Sequence, residues 1–307
     1  MTNRVLIRNK ILQIVFSAFI DRDKSITQSE MEYSHSMQKT YDLYILLLQL
    51  IVKLTQEQQE RIDRLRNRYI NPVSDKDINW KLANNRLAQQ LSENIQLNEY
   101  LHKNPDVNAV LTPRLIKSML DSILEGEAYA EYLEQEDSYE ADKTFWKRMV
   151  KEWADNQDID EALEGESLYW NNDIDIIATF VLKTIKTFTQ ESDENMPLID
   201  SFDAGEDSDF PGKLLSHTIL DFDANVKYIS AAAKNWEADR IANMDFVIMC
   251  MAITEARMFP SIPINVTLSE YIELAKSYAS EKSATFINGV LDAIIKKMKK
   301  EGKISKD

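Results

Sequence analysis

The chain has 307 residues, which is enough for one large or two modest domains with buried cores. With only 6 Gly and 7 Pro, the composition excludes a turn-rich β protein and favours long helices. The single cysteine excludes a disulfide scaffold, and the net charge of −15 argues at first sight against a nucleic-acid partner.

The first twenty residues combine a basic start with an apolar run, a pattern that secretion signals also have. Here apolar residues recur at helical spacing with polar residues between them, and Asp21 follows where a small-residue cleavage site would stand. The pattern therefore predicts an amphipathic first helix. The chain contains no run of 18 apolar residues, so we expect no membrane span and a cytoplasmic protein.

Helical periodicity continues through most of the remaining chain. Further helices are predicted at about residues 41–70, 77–102, 126–153, 213–233, 238–258, 267–279 and 281–300, with another opening at Thr112-Pro113. The first of these is predicted to have one apolar face, formed by Leu43, Leu46, Leu47, Leu50, Ile51 and Leu54. The polar stretch Glu191–Gly212 is predicted to be a loop or linker. Because no strand-like alternation lasts for long, the fold class is predicted to be all-α, a helical bundle.

Charge is distributed unevenly along the chain. Residues 131–211 carry 23 acidic and 6 basic residues, whereas the stretch from Lys282 to the end carries seven lysines and three acids. Salt screens charges separated by more than about 8 Å, so local basic patches decide whether phosphate is bound. The acidic net charge therefore does not exclude nucleic acid.

The stretch FPSIPINVTLSEYIELAKSYASEKSATFINGVLD, Phe259–Asp292, concentrates the motifs near the C-terminus. Its two prolines predict an extended turn, and Thr267 with Glu270 predicts a capping box at a helix start. A second helix start is predicted at Ser280. Gly289 is predicted to permit close approach of another helix.

In order and spacing, this stretch resembles the C-terminal signature of the NusB family of bacterial transcription antitermination factors. The start, NRVLIRNKILQIVFSAF, resembles the family's first helix. The resemblance covers about residues 1–20 and 210–298 and implies a NusB-like core. It suggests an N-terminal helical region at 1–125, whose first helix joins that core, an acidic helical insert and linker at 126–209, and a NusB-like C-terminal domain at 210–307.

The resemblance implies a binding protein that is not an enzyme and needs no cofactor. Family members bind boxA-type single-stranded RNA together with NusE, a small-subunit ribosomal protein, and support rRNA transcription in an RNA polymerase antitermination complex. The implied RNA-binding residues are Arg4, Arg8, Lys10, Lys282, Thr285 and Phe286. The implied NusE-binding residues are Phe16, usually Tyr in the family, and Asp245, usually Glu.

Three other hypotheses come from the residues. The long helices and the acidic segment also fit a helical protein-interaction scaffold without RNA binding. If the acidic segment masks the RNA surface, removing most of Glu191–Asp209 should raise RNA affinity. Two Glu-x-x-His pairs, Glu32 with His35 and Glu99 with His102, have the spacing of di-iron carboxylate bundles, although the poorly apolar stretch around the first pair indicates that it faces water.

Overall fold

A computed structural model describes residues 3–68, 73–153, 156, 159, 162–163, 167–170, 173–200, 209–233 and 241–304. Within these ranges the regular secondary structure is helical, and no strand occurs. The all-α fold class predicted from the sequence is confirmed.

Fourteen α-helices occur in the described ranges. The first nine are α1 (Arg4–Ile20), α2 (Ile26–Arg66), α3 (Arg86–Glu93), α4 (Ile95–Lys103), α5 (Pro105–Ala109), α6 (Pro113–Glu125), α7 (Glu127–Glu134), α8 (Tyr139–Glu152) and α9 (Ile174–Thr187). The last five are α10 (Phe210–Leu220), α11 (Phe222–Ala232), α12 (Asn243–Met258), α13 (Ile264–Tyr278) and α14 (Glu281–Lys300). A short 3-10 helix covers Asp75–Asp77.

Contacts within the chain define two compact units. The central-segment unit contains residues 38–201, and the terminal-segment unit contains residues 2–37 together with residues 202–307. Helix α1 thus belongs to the same unit as the C-terminal helices. The three-part division at residues 125 and 209 has different limits from these two units and stays a prediction.

In the terminal-segment unit, α12 is the central helix and contacts α1, α10, α11, α13 and α14. The seven consecutive residues Val247–Ile253 are completely buried. A helix that is apolar on all sides is expected to occupy the centre of a bundle. Cys250 lies within this run, and burial raises the pKa of its thiol, so the thiol stays neutral in the core.

In the central-segment unit, the part of α2 after residue 38 supplies much of the core. The leucines predicted to share one face of this helix are buried, namely Leu43, Leu46, Leu47, Leu50 and Leu54. The hydroxyl groups of Tyr44 and Thr184, 2.6 Å apart, connect α2 to α9. Helix α8 contacts α3, α7 and α9 and buries Trp146 completely.

Polar residues interrupt three stretches that were predicted as single helices, at 77–102, 126–153 and 213–233. In the second of these, Ser138 caps α8 after α7 has ended at Glu134. The prediction of one helix over 77–102 is wrong, because Asn94 ends α3 and begins α4. Its side-chain oxygen accepts from the Leu97 N–H at 2.9 Å, and its amide donates to the Met196 carbonyl at 2.8 Å. Asparagine favours such caps because its side chain competes for backbone groups. Asp221 similarly separates α10 from α11 within the predicted 213–233 helix.

The predicted loop at 191–212 is only partly described. Residues 188–200 have no regular structure, residues 201–208 lie outside the described ranges, and α10 already begins at Phe210. The amide of Gln90 donates to the carbonyls of Thr189 and Ser192, both at 2.9 Å, and the N–H of Leu198 donates to the Gln96 side chain at 2.9 Å. Side chains of α3 and α4 therefore hold the first part of the loop.

The predicted capping box at Thr267 and Glu270 is wrong. Helix α13 begins at Ile264, so Thr267 lies within its first turn and is completely buried. The Thr267 hydroxyl donates to Glu255 at 3.0 Å, and Glu270 accepts from Arg8 at 2.9 Å. Both side chains of the predicted capping box therefore bind residues of other helices, and neither caps α13.

Candidate nucleic-acid interface

The start of α14 brings three of the predicted RNA-binding residues together. Ser280 caps this helix, because its hydroxyl accepts from the Ser283 N–H at 3.1 Å, as the sequence predicts. Lys282 and Thr285 are exposed, and Phe286 is half-buried beside them. A cation, a hydroxyl group and an aromatic ring therefore lie within about one helical turn of each other.

The region around Gly289 is open. The prediction that this glycine allows close approach of another helix is wrong, because a Cβ placed there would meet no described atom within 4 Å. Glycine in an exposed helical position costs about 1 kcal/mol relative to alanine. The backbone of α14 is therefore exposed at Gly289, three residues after Phe286.

Two contacts fix α1 relative to α13. Arg8 Nη1 donates to Glu270 Oε2 at 2.9 Å, and Gln13 Nε2 donates to the Tyr278 hydroxyl at 3.1 Å. The contacts follow the same order along both helices, so the second half of α1 lies toward the end of α13. Ser280, two residues after Tyr278, is the N-cap of α14. The second half of α1 therefore lies toward the start of α14.

Arg8 lies inside the protein, where a phosphate cannot reach it. Its side chain is 3% exposed, and Nε and Nη2 donate to the two carboxylate oxygens of Glu255 at 2.8 and 3.0 Å. Glu255 also accepts from Thr267 and from the Tyr271 hydroxyl at 3.1 Å. Arg8 therefore connects α1 to α12 and α13, and its predicted phosphate contact does not fit this geometry.

The two other predicted cations of α1 differ in exposure. Lys10 is completely buried, so its predicted phosphate contact also disagrees with the structure. Arg4 is half-buried, with its guanidinium carbon 5.6 Å from the Phe210 ring centroid. It precedes Gln13 by nine residues, or about 14 Å along the helix axis. Arg4 therefore lies toward the opposite end of α1 from the part near α14, and the compact cluster of α1 cations beside Phe286 does not form.

The two predicted partner-binding residues lie on neighbouring helices of the same unit. Phe16 is half-buried on α1. Asp245, in the first turn of α12, is 4% exposed, and the Ser283 side chain in the first turn of α14 lies near enough to influence the pKa of its carboxyl group. Burial raises the pKa of Asp245, while the Ser283 side chain opposes the rise. Asp245 Oδ1 has no hydrogen-bond partner among the described residues.

The described residues do not form the alternative metal site. No three His, Cys, Asp or Glu side chains in these ranges are grouped closely enough to hold a metal ion. Glu32 instead pairs with Lys24, and His35 and His102 are exposed. Among the helices of the described ranges, none has the length and apolar character needed to span a bilayer.

The carboxylate at the centre of the buried network, Glu255, was not among the residues predicted from the sequence. Glu255 is completely buried and is surrounded by partners from α1 and α13. A signal was present, because this glutamate stands within the apolar run FVIMCMAITEA, where an ionised side chain requires a buried partner. Sequence spacing alone could not identify Arg8, 247 residues away, as that partner.

Comparisons with known proteins agree with the resemblance. A model of the NusB family matches residues 176–296. The transcription antitermination protein NusB of Salinibacter ruber is 38% identical over 98 residues, which are 32% of this chain and 61% of that protein. NusB of Geotalea daltonii is 34% identical over 129 residues, which are 42% of this chain and 86% of that protein.

NusB of Geotalea uraniireducens is 33% identical over 130 residues and is also covered to 86%. A search of solved structures finds no significant match. The aligned segments leave more than half of this chain unmatched, and the match spans 61% of the Salinibacter protein. Because 86% of the Geotalea daltonii protein aligns at 34% identity, the chain belongs to the NusB family.

Proposed function

We propose that this protein is a transcription antitermination factor that binds boxA-type single-stranded RNA together with NusE. It would join the RNA polymerase antitermination complex in the cytoplasm and support rRNA transcription. The relatives carry the name transcription antitermination protein, which supports the role. The proposed activity is binding, without a chemical step and without a cofactor.

The observation that carries this proposal is the start of α14, which lies inside the segment matched by the family model. Exposed Lys282 and Thr285 flank the half-buried ring of Phe286. Unpaired RNA bases stack on aromatic side chains, which contributes about 1–3 kcal/mol per base. A lysine and a hydroxyl group beside the ring can contact the phosphate and sugar of the same nucleotide.

The three cations of α1 have different roles in this proposal. Arg4 is half-buried and is proposed as a separate phosphate contact at the other end of α1. Arg8 and Lys10 are buried, so they support the interface only by holding α1 in position. The proposed RNA path therefore depends more on α14 than the sequence analysis expected.

The proposed NusE surface comprises Phe16 and the first turn of α12. Phe16 has apolar area left to bury against a partner. Asp245 is itself buried, so it would support this turn from inside rather than contact NusE. It lies near Ser283, one residue from Lys282, so the proposed protein surface adjoins the proposed RNA surface. This proximity gives a physical reason for expecting the two ligands to bind cooperatively.

Fluorescence anisotropy can test the proposal with boxA RNA and a scrambled RNA of the same composition, each with and without NusE. We expect preference for boxA, tighter binding with NusE, and weaker binding by Lys282→Gln. Losing one phosphate contact should lower the slope of log affinity against log salt by about 0.7. The matched control is Lys276→Gln, an exposed lysine on α13. The proposal would be refuted by equal affinity for the two RNAs. It would also be refuted if Lys282→Gln and Lys276→Gln had the same RNA affinity and the same salt slope.

The second candidate function is a protein-interaction scaffold without RNA binding. It is favoured by one observation, the burial of Arg8 and Lys10, which removes two of the three predicted cations of α1 from the surface. The same titration separates the two functions. A scaffold binds NusE with an affinity that boxA RNA does not change.

A further inference from the structure

The second half of α14 concentrates positive charge on its exposed side. From Lys282 to Lys303 the chain has six lysines and only two carboxylates, Asp292 and Glu301. The lysines of this end are all exposed, namely Lys296, Lys297, Lys299, Lys300 and Lys303. Among the described residues, neither Lys299 nor Lys300 takes part in an ion pair.

Two of these lysines lie around the half-buried ring of Tyr228 on α11. The ammonium groups of Lys297 and Lys303 lie 5.6 and 5.0 Å from the ring centroid. Lys303 also donates to the Tyr228 hydroxyl, and Glu301 accepts from Lys303 at 2.8 Å and from that hydroxyl at 3.3 Å. The two lysines are therefore held in place around an aromatic side chain before any ligand arrives.

A solvated helix end does not account for this arrangement. Lysines in the last turn interact favourably with the helix dipole, but that effect falls off within one turn. Here the positive charge extends from Lys296, before the last turn, to Lys303, beyond the helix. An aromatic ring among the cations is also not required for a solvated end.

The lysines continue the exposed face that begins at the proposed RNA site. Exposed residues recur every three or four positions along α14, at Thr285, Gly289, Asp292, Lys296 and Lys300. The face extends about 27 Å from Lys282 to Lys300 at 1.5 Å per residue. A single strand bound beside Phe286 can follow this face without leaving the helix.

We propose that this lysine face, formed by Lys296, Lys297, Lys299, Lys300 and Lys303 around Tyr228, binds the phosphates of the same single-stranded RNA. The lysine face contacts the nucleotides on either side of the ones that bind at the start of α14. The inference rests on the proposed function and extends it from a short recognition site to a longer RNA path. Lysines supply the sequence-independent contacts, and Tyr228 offers a ring on which a flanking base can stack.

Other polyanionic partners fit the face less well. A membrane surface requires apolar anchors beside the cations, and the large exposed apolar side chains of the described residues include none from α14. An acidic peptide would satisfy the lysines, but it would have no need of a path continuous with Phe286. Single-stranded RNA uses the charge, the aromatic ring and the continuity together.

The test compares a short boxA RNA with one extended by about 8 nucleotides, a length within the range of single-strand binding sites. We expect the extension to raise affinity about tenfold, and Lys297→Gln/Lys299→Gln/Lys300→Gln to abolish this gain. The short RNA should bind the variant as it binds the original chain. The salt slope for the extended RNA should fall by about 2, or about 0.7 for each lost contact.

The matched control is Lys103→Gln/Lys117→Gln/Lys151→Gln, which removes the same charge from exposed positions of the central-segment unit. The lysine face is refuted, while the proposed function stands, if the extended RNA binds no more tightly than the short one. The same conclusion follows if both triple variants lose the same affinity for the extended RNA. If neither RNA binds the original chain, the proposed function itself fails. If polyglutamate binds as tightly as the extended RNA with the same lysine dependence, the face belongs to an acidic protein and the inference is overturned.

Discussion

Arg8 Nε donates to Glu255 Oε2 at 2.8 Å, with both side chains almost completely enclosed. The pair joins α1 to the central helix, so residues from opposite ends of the chain form one core. Breaking such a pair leaves the other charge buried without compensation, which costs about 3–5 kcal/mol. This relationship changes what mutations in α1 are expected to do.

Arg8→Ala is expected to lower stability by about 3–5 kcal/mol, because Glu255 is left charged and unpaired. Urea unfolding followed by circular dichroism measures the loss. The control is Arg4→Ala, which removes a half-buried arginine and should cost about 1 kcal/mol or less. Arg8→Met with Glu255→Leu should be more stable than Arg8→Ala, since neither charge remains. Equal stability of Arg8→Ala and Arg4→Ala would contradict the account of the core.

Asp245→Asn is expected to stabilise the protein at neutral pH. Burial raises the pKa of Asp245 above its unfolded value, so the folded state binds the proton more tightly than the unfolded state. Stability therefore falls as pH rises from the ordinary Asp pKa through the raised folded pKa, and the penalty persists above it. Asparagine removes this penalty and keeps nearly the same side-chain shape.

Urea unfolding of Asp245→Asn should be measured at several pH values from 7 downward. The gain in stability should shrink as pH approaches the ordinary value for aspartate, about 3.9. Asp223→Asn serves as the control, because Asp223 is an exposed carboxylate in the same unit. A gain that does not depend on pH would show that charge burial at Asp245 is not its cause.

Phe16→Ala is expected to weaken NusE binding about tenfold, since a central aromatic contact is often worth about 1–2 kcal/mol at a protein interface. Isothermal titration calorimetry with purified NusE measures the change. Phe19→Ala is the matched control, because Phe19 lies on the same helix and its ring packs 5.0 Å from the Phe222 ring. If both alanine variants weaken NusE equally, Phe16 is not a specific contact.

The masking hypothesis predicts that neutralising the acidic segment raises RNA affinity. Deletion of Glu191–Asp209 is a poor test, because Gln90 and Gln96 hold part of it by hydrogen bonds. Asp203→Asn/Glu206→Gln/Asp207→Asn keeps the chain length and removes three charges from positions outside the described ranges. Anisotropy titration at low and high salt should reveal tighter binding that salt diminishes. Unchanged affinity at low salt would argue against masking.

Local patterns predicted part of this molecule well. The apolar face of α2 and the cap at Ser280 depend on neighbouring residues, so the sequence was sufficient to predict them. The prediction that Arg8 contacts phosphate failed because the sequence does not reveal its distant carboxylate partner, Glu255. Without that partner, an arginine on the first helix is expected to lie on the surface. Thr267 was misjudged for the same reason, since Glu255 provides a tertiary partner that overrides the local capping pattern.

Ultraviolet crosslinking of boxA RNA to the protein with NusE present, followed by mass spectrometry of the crosslinked peptides, tests whether RNA binds at the start of α14. We expect crosslinks in the peptide that contains Phe286, and their loss when the RNA is scrambled. Crosslinks confined to the central-segment unit, or none at the start of α14 when boxA RNA is bound, would contradict this expectation.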